Sequence, residues 1–237
     1  MSKHSKWSKV KQFKGAIDAK RSAVFTKMAR LITVAAREGG GDPNFNFKLR
    51  SAVTQALEEN LPKDNIERAI KKGTGEIASE RIEEILYEGY APGGLPVMVE
   101  ALSDNRNRTA ANVKHLFSSH GGNLAASGAV QWMFERKGVL HIKQTTINEE
   151  QELGLIDAGA DDIVLGEEEM VVRTTMDNLN KLREAAERTG LEVTEAGLEW
   201  VPKEKSAPAT PEVMEKAADL FAALEDDEDV SAVYTTV

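Results

Sequence analysis

Basic side chains recur every two to six residues in the first 30 positions, and no acidic residue precedes Asp18. Mobile Lys and Arg side chains neutralise phosphates, and aromatic faces stack on exposed bases. Both kinds of side chain occur together in this segment. The residues predicted here to contact nucleic acid are Lys3, His4, Lys6, Trp7, Lys9, Lys11, Lys14, Lys20, Arg21, Lys27 and Arg30.

Opposite charges occupy different parts of the chain. Residues 1–72 contain 16 Lys and Arg against 7 Asp and Glu, whereas the rest of the chain contains 14 against 32. The net charge of −9 therefore combines a segment of +9 with one of −18. Such asymmetry indicates one end that binds a polyanion and one end that avoids it. The alternative is a solvated helix face; for Trp7 alone, packing against the helices is the favoured interpretation, and for the whole cluster nucleic acid is favoured.

A second basic candidate is the polar loop Asp104-Asn105-Arg106-Asn107-Arg108-Thr109. Arg106 and Arg108 are suited to bidentate binding of a phosphate or a carboxylate. The alternative is a capped loop in which Asp104 and Asn105 bond to their own backbone. The sequence leaves both interpretations open.

Patterns typical of enzymes are missing from the sequence. There is no cysteine, so thiolate chemistry and thiolate metal sites are excluded. His115 and His120 are five residues apart, which does not place them on one helix face as a metal pair. No nucleophile-elbow or zinc-protease motif occurs. We therefore expect no catalytic residue, metal site, cofactor or small-molecule substrate, and we expect a cytoplasmic protein without a membrane segment.

Hydrophobic periodicity predicts three helices in the basic segment, over residues 18–38, 49–57 and 64–72. Gly39-Gly40-Gly41 ends the first, and Leu61-Pro62 separates the second from the third. The glycine-rich connection is longer than the turn of a helix-turn-helix motif. This favours binding led by the nucleic-acid backbone over readout of base edges.

The residue pattern after the basic segment predicts an α+β arrangement. A hairpin of residues 85–90 and 95–101 is followed by a helix to about His120 and a strand over Val130–Phe134. Residues 137–203 predict a ferredoxin-like βαββαβ unit, with its third strand at 169–173 and no stacking aromatics there, unlike an RNA-recognition motif. A last helix and strand follow the linker 202–211. The predicted domains are 1–78 (three helices), 79–136 plus 204–237 (α+β), and 137–203 as an insertion.

Several segments together resemble the YebC/PmpR family, which includes the mitochondrial translational activator of cytochrome c oxidase I. The similar segments are His4-Ser5-Lys6-Trp7, Asp18-Ala19-Lys20-Arg21, Phe25-Thr26-Lys27, the run from Ala35 to Pro43, the run from Pro62 to Ile70, Tyr87-Glu88-Gly89-Tyr90, Pro92-Gly93-Gly94, the loop from Asp104 to Thr109, and Gly121-Gly122-Asn123-Leu124. His120 and Ala125-Ala126 depart from the usual residues of the family.

The resemblance implies a three-domain, non-enzymatic protein. Members of the family are described as DNA-binding transcriptional regulators, and also as ribosome-associated factors that help the translation of difficult nascent sequences. The expected partner is therefore nucleic acid, either DNA or ribosomal RNA, with the ribosome as a further candidate. A different class of function, in which the acidic domains form a protein-interaction platform, is the remaining alternative.

Overall fold

The computed structural model describes residues 17–78, 81–204 and 210–237, and it describes the side chains from Arg21 onward. Of the described residues, 135–201 form one compact unit, here called the smaller unit, and the others form the larger unit. Helices precede two antiparallel sheets, each with its own helices, which confirms the α+β class. The division into three domains stays a prediction.

The larger unit begins with the three helices that the periodicity predicts. They are α1 (Ile17–Gly39), α2 (Phe47–Glu58) and α3 (Lys63–Gly73). Their apolar faces meet in one core that includes Ile32, Leu49 and Ile66. Gly73 lets α1 and α3 approach closely, because a Cβ atom at that position would collide with the carbonyl oxygen of Thr33.

A four-stranded sheet follows in the larger unit, with the strand order β3-β1-β2-β8. Residues Val97 and Val99 of the sheet pack with Phe117 and Phe221 of two helices in its core. Alternation of apolar residues along the strands directs them toward these helices. The elements are β1 (Glu83–Ala91), β2 (Leu95–Ser103), α4 (Arg106–Ser119), β3 (Asn123–Leu124), α7 (Pro211–Glu225) and β8 (Val230–Thr235).

The predicted strand over Val130–Phe134 is wrong. Gln131–Met133 form a short 3-10 helix, and only Phe134 belongs to a strand. The reason is the carboxylate of Glu88, which is 3% exposed and accepts backbone N–H bonds from Gly128, Val130 and Gln131 at 2.6 to 2.8 Å. Because three amides within residues 128–131 bind one carboxylate, the segment curves around Glu88 and does not extend along the sheet.

The smaller unit has the βαββαβ order that the sequence predicts. Its sheet order is β5-β6-β4-β7, which is that of a ferredoxin-like fold. One sheet face, through Leu140 and Val172, packs against Leu155 and Leu182 of its two helices. The elements are β4 (Phe134–Ile142), α5 (Glu149–Asp157), β5 (Ala160–Leu165), β6 (Met170–Thr174), α6 (Leu179–Arg188) and β7 (Val193–Pro202).

Replacing Glu88 with Gln tests whether its carboxylate holds residues 128–131 in their curved conformation. Burial raises the pKa of Glu88, and the three backbone N–H bonds together outweigh burial, so its pKa lies below the ordinary value of 4.5. A carboxyl group with a lowered pKa stabilises the fold above its unfolded pKa, and this contribution is lost as the pH falls through the folded pKa. We expect E88Q to lower the free energy of unfolding by about 2 kcal/mol at pH 7.

Urea unfolding followed by circular dichroism at pH 7 and at pH 3.5 measures this effect. The difference between E88Q and wild type should shrink at the lower pH. E83Q, on an exposed residue of the same strand, is the matched control and should behave as wild type. An E88Q protein as stable as E83Q at pH 7 would contradict the role of Glu88.

Candidate nucleic-acid interface

Most of the predicted contacts near the amino terminus lie outside the residues that the structure describes. The backbone of Lys20 belongs to α1, but its side chain is also outside the description. These residues therefore keep their predicted role as an expectation. They are Lys3, His4, Lys6, Trp7, Lys9, Lys11, Lys14 and, for its side chain, Lys20.

The described basic residues of α1 have different environments. Arg21 is exposed, and its guanidinium carbon lies 5.3 Å from the centroid of the Phe25 ring. Lys27 Nζ lies 3.5 Å from the carbonyl oxygen of Glu225 at the end of α7. Arg30 is largely buried, with 11% of its side chain exposed. Only Arg21 among these three is exposed to solvent.

Arg30 belongs to an internal ion-pair network that we call the Asp229 cluster, formed by Arg30, Ser103, Arg108, Thr109 and Asp229. The side chain of Asp229 has no exposed surface. Its Oδ1 atom lies 2.5 Å from Arg30 Nη1 and 3.0 Å from Arg108 Nη2. Its Oδ2 atom accepts a hydrogen bond from Thr109 Oγ1 at 2.6 Å, and Ser103 Oγ lies 3.5 Å away. The buried charge is thus surrounded by donors.

The Asp229 cluster gives Arg30 and Arg108 an internal partner. Hydrogen bonding to Asp229 raises the pKa of Arg108, so its guanidinium stays charged. Arg30 Nη1 also donates to the carbonyl oxygen of Glu228 at 2.9 Å. Through these bonds α1 is attached to the residues that precede β8 and to the first turn of α4. We therefore leave Arg30 and Arg108 out of the surface proposed below.

The loop before α4 combines both interpretations that the sequence left open. Asn105 caps α4, because its Oδ1 atom accepts the N–H of Arg108 at 3.1 Å. Arg108 binds a carboxylate, but that carboxylate is the chain's own Asp229. One Arg108 nitrogen contacts both Asp229 oxygens, at 3.0 and 3.1 Å, so the contact is not a parallel two-nitrogen fork.

Arg106 is not among the residues bonded to Asp229. It is exposed, and within the described ranges its side chain forms no hydrogen bond or ion pair. It lines an open, polar cavity of about 410 Å³ in the larger unit. The residues around this cavity are Arg81, Glu83, Ser103, Asp104, Asn105, Arg106 and Asn107. Arg106 thus remains available for an anionic partner.

Helix α3 presents basic residues that the predicted site omits. Ile66 and Ala69 are buried, so the opposite face of α3 is directed to solvent. Four basic residues of α3 are exposed, and no side-chain hydrogen bond or ion pair joins them to the described part of the chain: Lys63, Arg68, Lys71 and Lys72. The signal in the sequence was the pair Lys71-Lys72 next to the glycine that ends the helix. The contacts predicted for the helical segment end at Arg30, so these four residues were not among them.

The two connections between the helices of the basic segment differ in length. Residues 40–46 join α1 to α2, which is longer than a helix-turn-helix turn, as expected. Residues 59–62 join α2 to α3, and four residues is a length that this motif uses. Because the expectation from the sequence rested on the first connection, α2 and α3 become a candidate for insertion of a helix into a DNA groove.

Other kinds of site are not evident in the described ranges. Across residues 17–78, 81–204 and 210–237, no group of three His, Asp or Glu side chains is arranged to hold a metal ion. No helix in the same ranges is long and apolar enough to cross a membrane.

Two family models together match nearly the whole chain. Residues 5–76 match the TACO1/YebC protein N-terminal domain, and residues 82–237 match the TACO1/YebC second and third domain. The first match includes α1, α2 and α3, and the second includes both sheets.

Similar proteins come from several bacteria. Proteins named as probable transcriptional regulatory proteins in Desulfotalea psychrophila and Thermotoga maritima are each 48% identical to this chain. The alignments cover 99% of this chain in both cases, and 94% and 93% of those proteins. The crystal structure of a conserved hypothetical protein from Aquifex aeolicus is similar with a TM-score of 0.82 and 44% identity, over 97% of this chain and 95% of that one.

Removal of the Asp229 charge should destabilise the larger unit. D229N removes the buried carboxylate that Arg30 and Arg108 share and leaves them only the partly exposed carboxylate of Asp104. Loss of one partner from a buried ion pair typically costs about 3–5 kcal/mol. We expect a lower denaturation temperature by differential scanning calorimetry. D219N, which removes an exposed carboxylate of α7, is the control and should leave the transition in place. Equal transitions for the two variants would show that the cluster contributes little stability.

Proposed function

This chain belongs to the TACO1/YebC family, and from that premise we propose that it is a non-enzymatic regulator of gene expression that binds nucleic acid. The segment of residues 1–78, which contains α1, α2 and α3, holds the sugar–phosphate backbone through Lys and Arg side chains. The names of its relatives as transcriptional regulatory proteins support a regulatory role. Binding of nucleic acid by this chain is the part that we propose.

The exposure of the basic residues of α3 is the observation that best supports the proposal. Its last turn has two adjacent lysines, Lys71 and Lys72, both exposed and without a partner in the described part of the chain. Lysines that lack a carboxylate partner keep their charge available for phosphates. The chain places these free cations in the segment with a charge of +9, although the whole chain is acidic. Arg21 and the lysines before it extend the same basic segment.

Phosphate contacts of this kind bind without reading base sequence. Release of condensed counterions makes the affinity fall as salt rises, with a slope near −0.9 per neutralised phosphate on duplex DNA. Arg106, on the exposed side of the loop before α4, is a further contact candidate in our proposal. The acidic remainder of the chain repels the same polymer, which restricts binding to the basic segment.

Duplex DNA is the first candidate target, because the connection between α2 and α3 has the length of a helix-turn-helix turn. Asn65, Arg68 and Lys72 are exposed and lie three and four residues apart, so they share one face of α3. Asn pairs with adenine and Arg with guanine in a major groove. A preference for one duplex DNA sequence over others of equal length would support this target.

Ribosomal or other structured RNA is the second candidate, because the phosphate contacts serve both polymers. Competition between a 20-base-pair DNA duplex and a ribosomal RNA fragment of similar length, at fixed salt, separates the two. A function as a protein-interaction platform predicts that a chain without residues 1–75 still complements a deletion strain.

Reversal of Lys71 and Lys72 to Glu tests the α3 surface. We expect K71E/K72E to weaken binding to a labelled 20-base-pair DNA at least about tenfold and to make the salt slope shallower by about two, since two phosphate contacts are lost. Fluorescence anisotropy titrations at four salt concentrations provide both values.

K114E/R188E is the matched control for that variant. It changes the net charge equally, its residues are exposed, and Arg188 also lies in the last turn of a helix. The control should bind with at least the wild-type salt slope. Equal losses of affinity in both double variants would show that the effect comes from net charge. They would argue against a specific surface on α3.

The lysines before α1 allow a separate test of the proposed function. Reversal of Lys6, Lys9, Lys11 and Lys14 to Glu should abolish retention of the protein on nucleic acid, because four cations become four anions in the most basic segment. Retention on DNA-cellulose and co-sedimentation with ribosomes measure it. Wild-type retention on both supports would refute the proposed function of this segment.

A further inference from the structure

Phe45 is the most exposed large apolar side chain in the described part of the molecule. Its exposed fraction is 90%, compared with 65% for Trp132, the next in order. It lies in the turn between α1 and α2 and belongs to no hydrophobic core. A large aromatic ring that is 90% exposed contributes little packing energy to folding, so its face is available to a partner outside the chain.

The turn that carries Phe45 is held in one conformation by its own hydrogen bonds. Asp42 Oδ1 accepts hydrogen bonds from the backbone N–H and from Nδ2 of Asn44, at 2.9 and 3.0 Å. The carbonyl oxygen of Asp42 accepts the N–H groups of Phe45 and Asn46, at 3.1 and 2.9 Å. Pro43 restricts the backbone between them. The backbone position from which Phe45 projects is therefore set by the turn itself.

Asn46 attaches this turn to the two helices on either side. Its side chain is buried, and Nδ2 donates to the carbonyl oxygens of Ala35 and Gly40 at 2.8 Å each. Its Oδ1 atom accepts the N–H of Leu49 at 3.0 Å and so caps α2. Because Asp42 and Asn46 hold the turn, the ring of Phe45 is not needed for its structure.

Basic side chains surround this turn. Lys48 is paired with Glu38 at 2.7 Å, which neutralises that acid. Arg50 Nη1 lies 3.5 Å from the carbonyl oxygen of Pro43, and its guanidinium carbon lies 5.0 Å from the centroid of the Phe47 ring.

The last turn of α3 is a neighbour of the same turn. Gly41 lies against it, because a Cβ built on Gly41 would come within 2.8 Å of Thr74 Cγ2. Lys71 and Lys72 therefore belong to the region around the Phe45 turn. Residues 37–50 and 68–74 together contain six basic and two acidic residues. A polyanion suits this combination better than an acidic or apolar protein surface.

We infer that Phe45 stacks on an unpaired base of a nucleic acid whose phosphates are held by the surrounding basic residues. The inference rests on the proposed function and specifies its ligand as a nucleic acid with unpaired bases. Bases inside a duplex are already stacked on their neighbours and do not present a free face to a side chain. All four bases have a face that can stack, so Phe45 selects unpaired nucleotides without selecting a sequence.

Substitution of Phe45 with Ala tests the inference in the full-length chain. The probes are a 12-nucleotide oligouridylate, a 12-nucleotide oligothymidylate and a 20-base-pair DNA duplex, each titrated by fluorescence anisotropy. We expect F45A to bind both single strands about 5- to 100-fold more weakly than wild type, because one stacking contact is lost. The salt slope should be unchanged, since no phosphate contact is removed, and duplex affinity should change less than twofold.

Two further variants control for shape and for general loss of an aromatic residue. F45W keeps an aromatic face and should retain single-strand binding. W132A removes another highly exposed aromatic side chain of the described residues, whose indole N–H donates to the nearby carbonyl oxygen of Ala129, and should bind as wild type. Thermal unfolding should be the same for F45A and wild type because Phe45 has no core contact.

Several outcomes would overturn the inference. F45A that binds single strands as wild type does, or that loses duplex and single-strand affinity equally, excludes stacking by Phe45 while leaving the proposed function in place. Equal losses of single-strand affinity in W132A and F45A would also exclude stacking by Phe45. Failure of the wild-type chain to bind any of the three probes would instead refute the proposed function and this inference with it.

Discussion

The buried carboxylate of Asp229 is the interaction on which the arrangement of the larger unit depends. A charge without exposed surface is stable only if several donors compensate for its lost hydration. Here Arg30 comes from α1, Arg108 and Thr109 come from α4, and Ser103 comes from the end of β2. These residues are far apart in the sequence. The helical segment is therefore attached to the first sheet by the electrostatic requirement of one side chain.

This requirement divides the basic residues into two groups with different physical roles. Arg30 and Arg108 neutralise an internal charge, and their positions are determined by it. Lys71, Lys72 and Arg106 are exposed without such a partner within the described residues, and their charges are available to a polyanion. Net charge alone does not distinguish the groups, because each residue contributes the same +1.

A similar principle explains the irregular parts of the fold. Glu88 and Asn46 are buried polar side chains, and each is satisfied by several backbone groups. Unpaired polar atoms in these positions would be costly, so the backbone curves to meet them. One such curve replaces an expected strand near Gln131. The other curve, around Asn46, holds the turn from which Phe45 is exposed to solvent, so a hydrogen-bonded turn and an exposed ring occur together.

Apart from residues 123–134, the sequence alone determined the order of helices and strands, the ferredoxin-like unit and the concentration of positive charge near the amino terminus. Those features follow from local periodicity, turn residues and composition, all of which act over a few residues. Only the tertiary structure decided that Arg30 is internal whereas Lys71 is exposed, that Gly128, Val130 and Gln131 bind Glu88, and that Phe45 is exposed. The physical reason is that these outcomes depend on partners distant in the chain, such as Asp229 for Arg30, which no local pattern of residue types identifies.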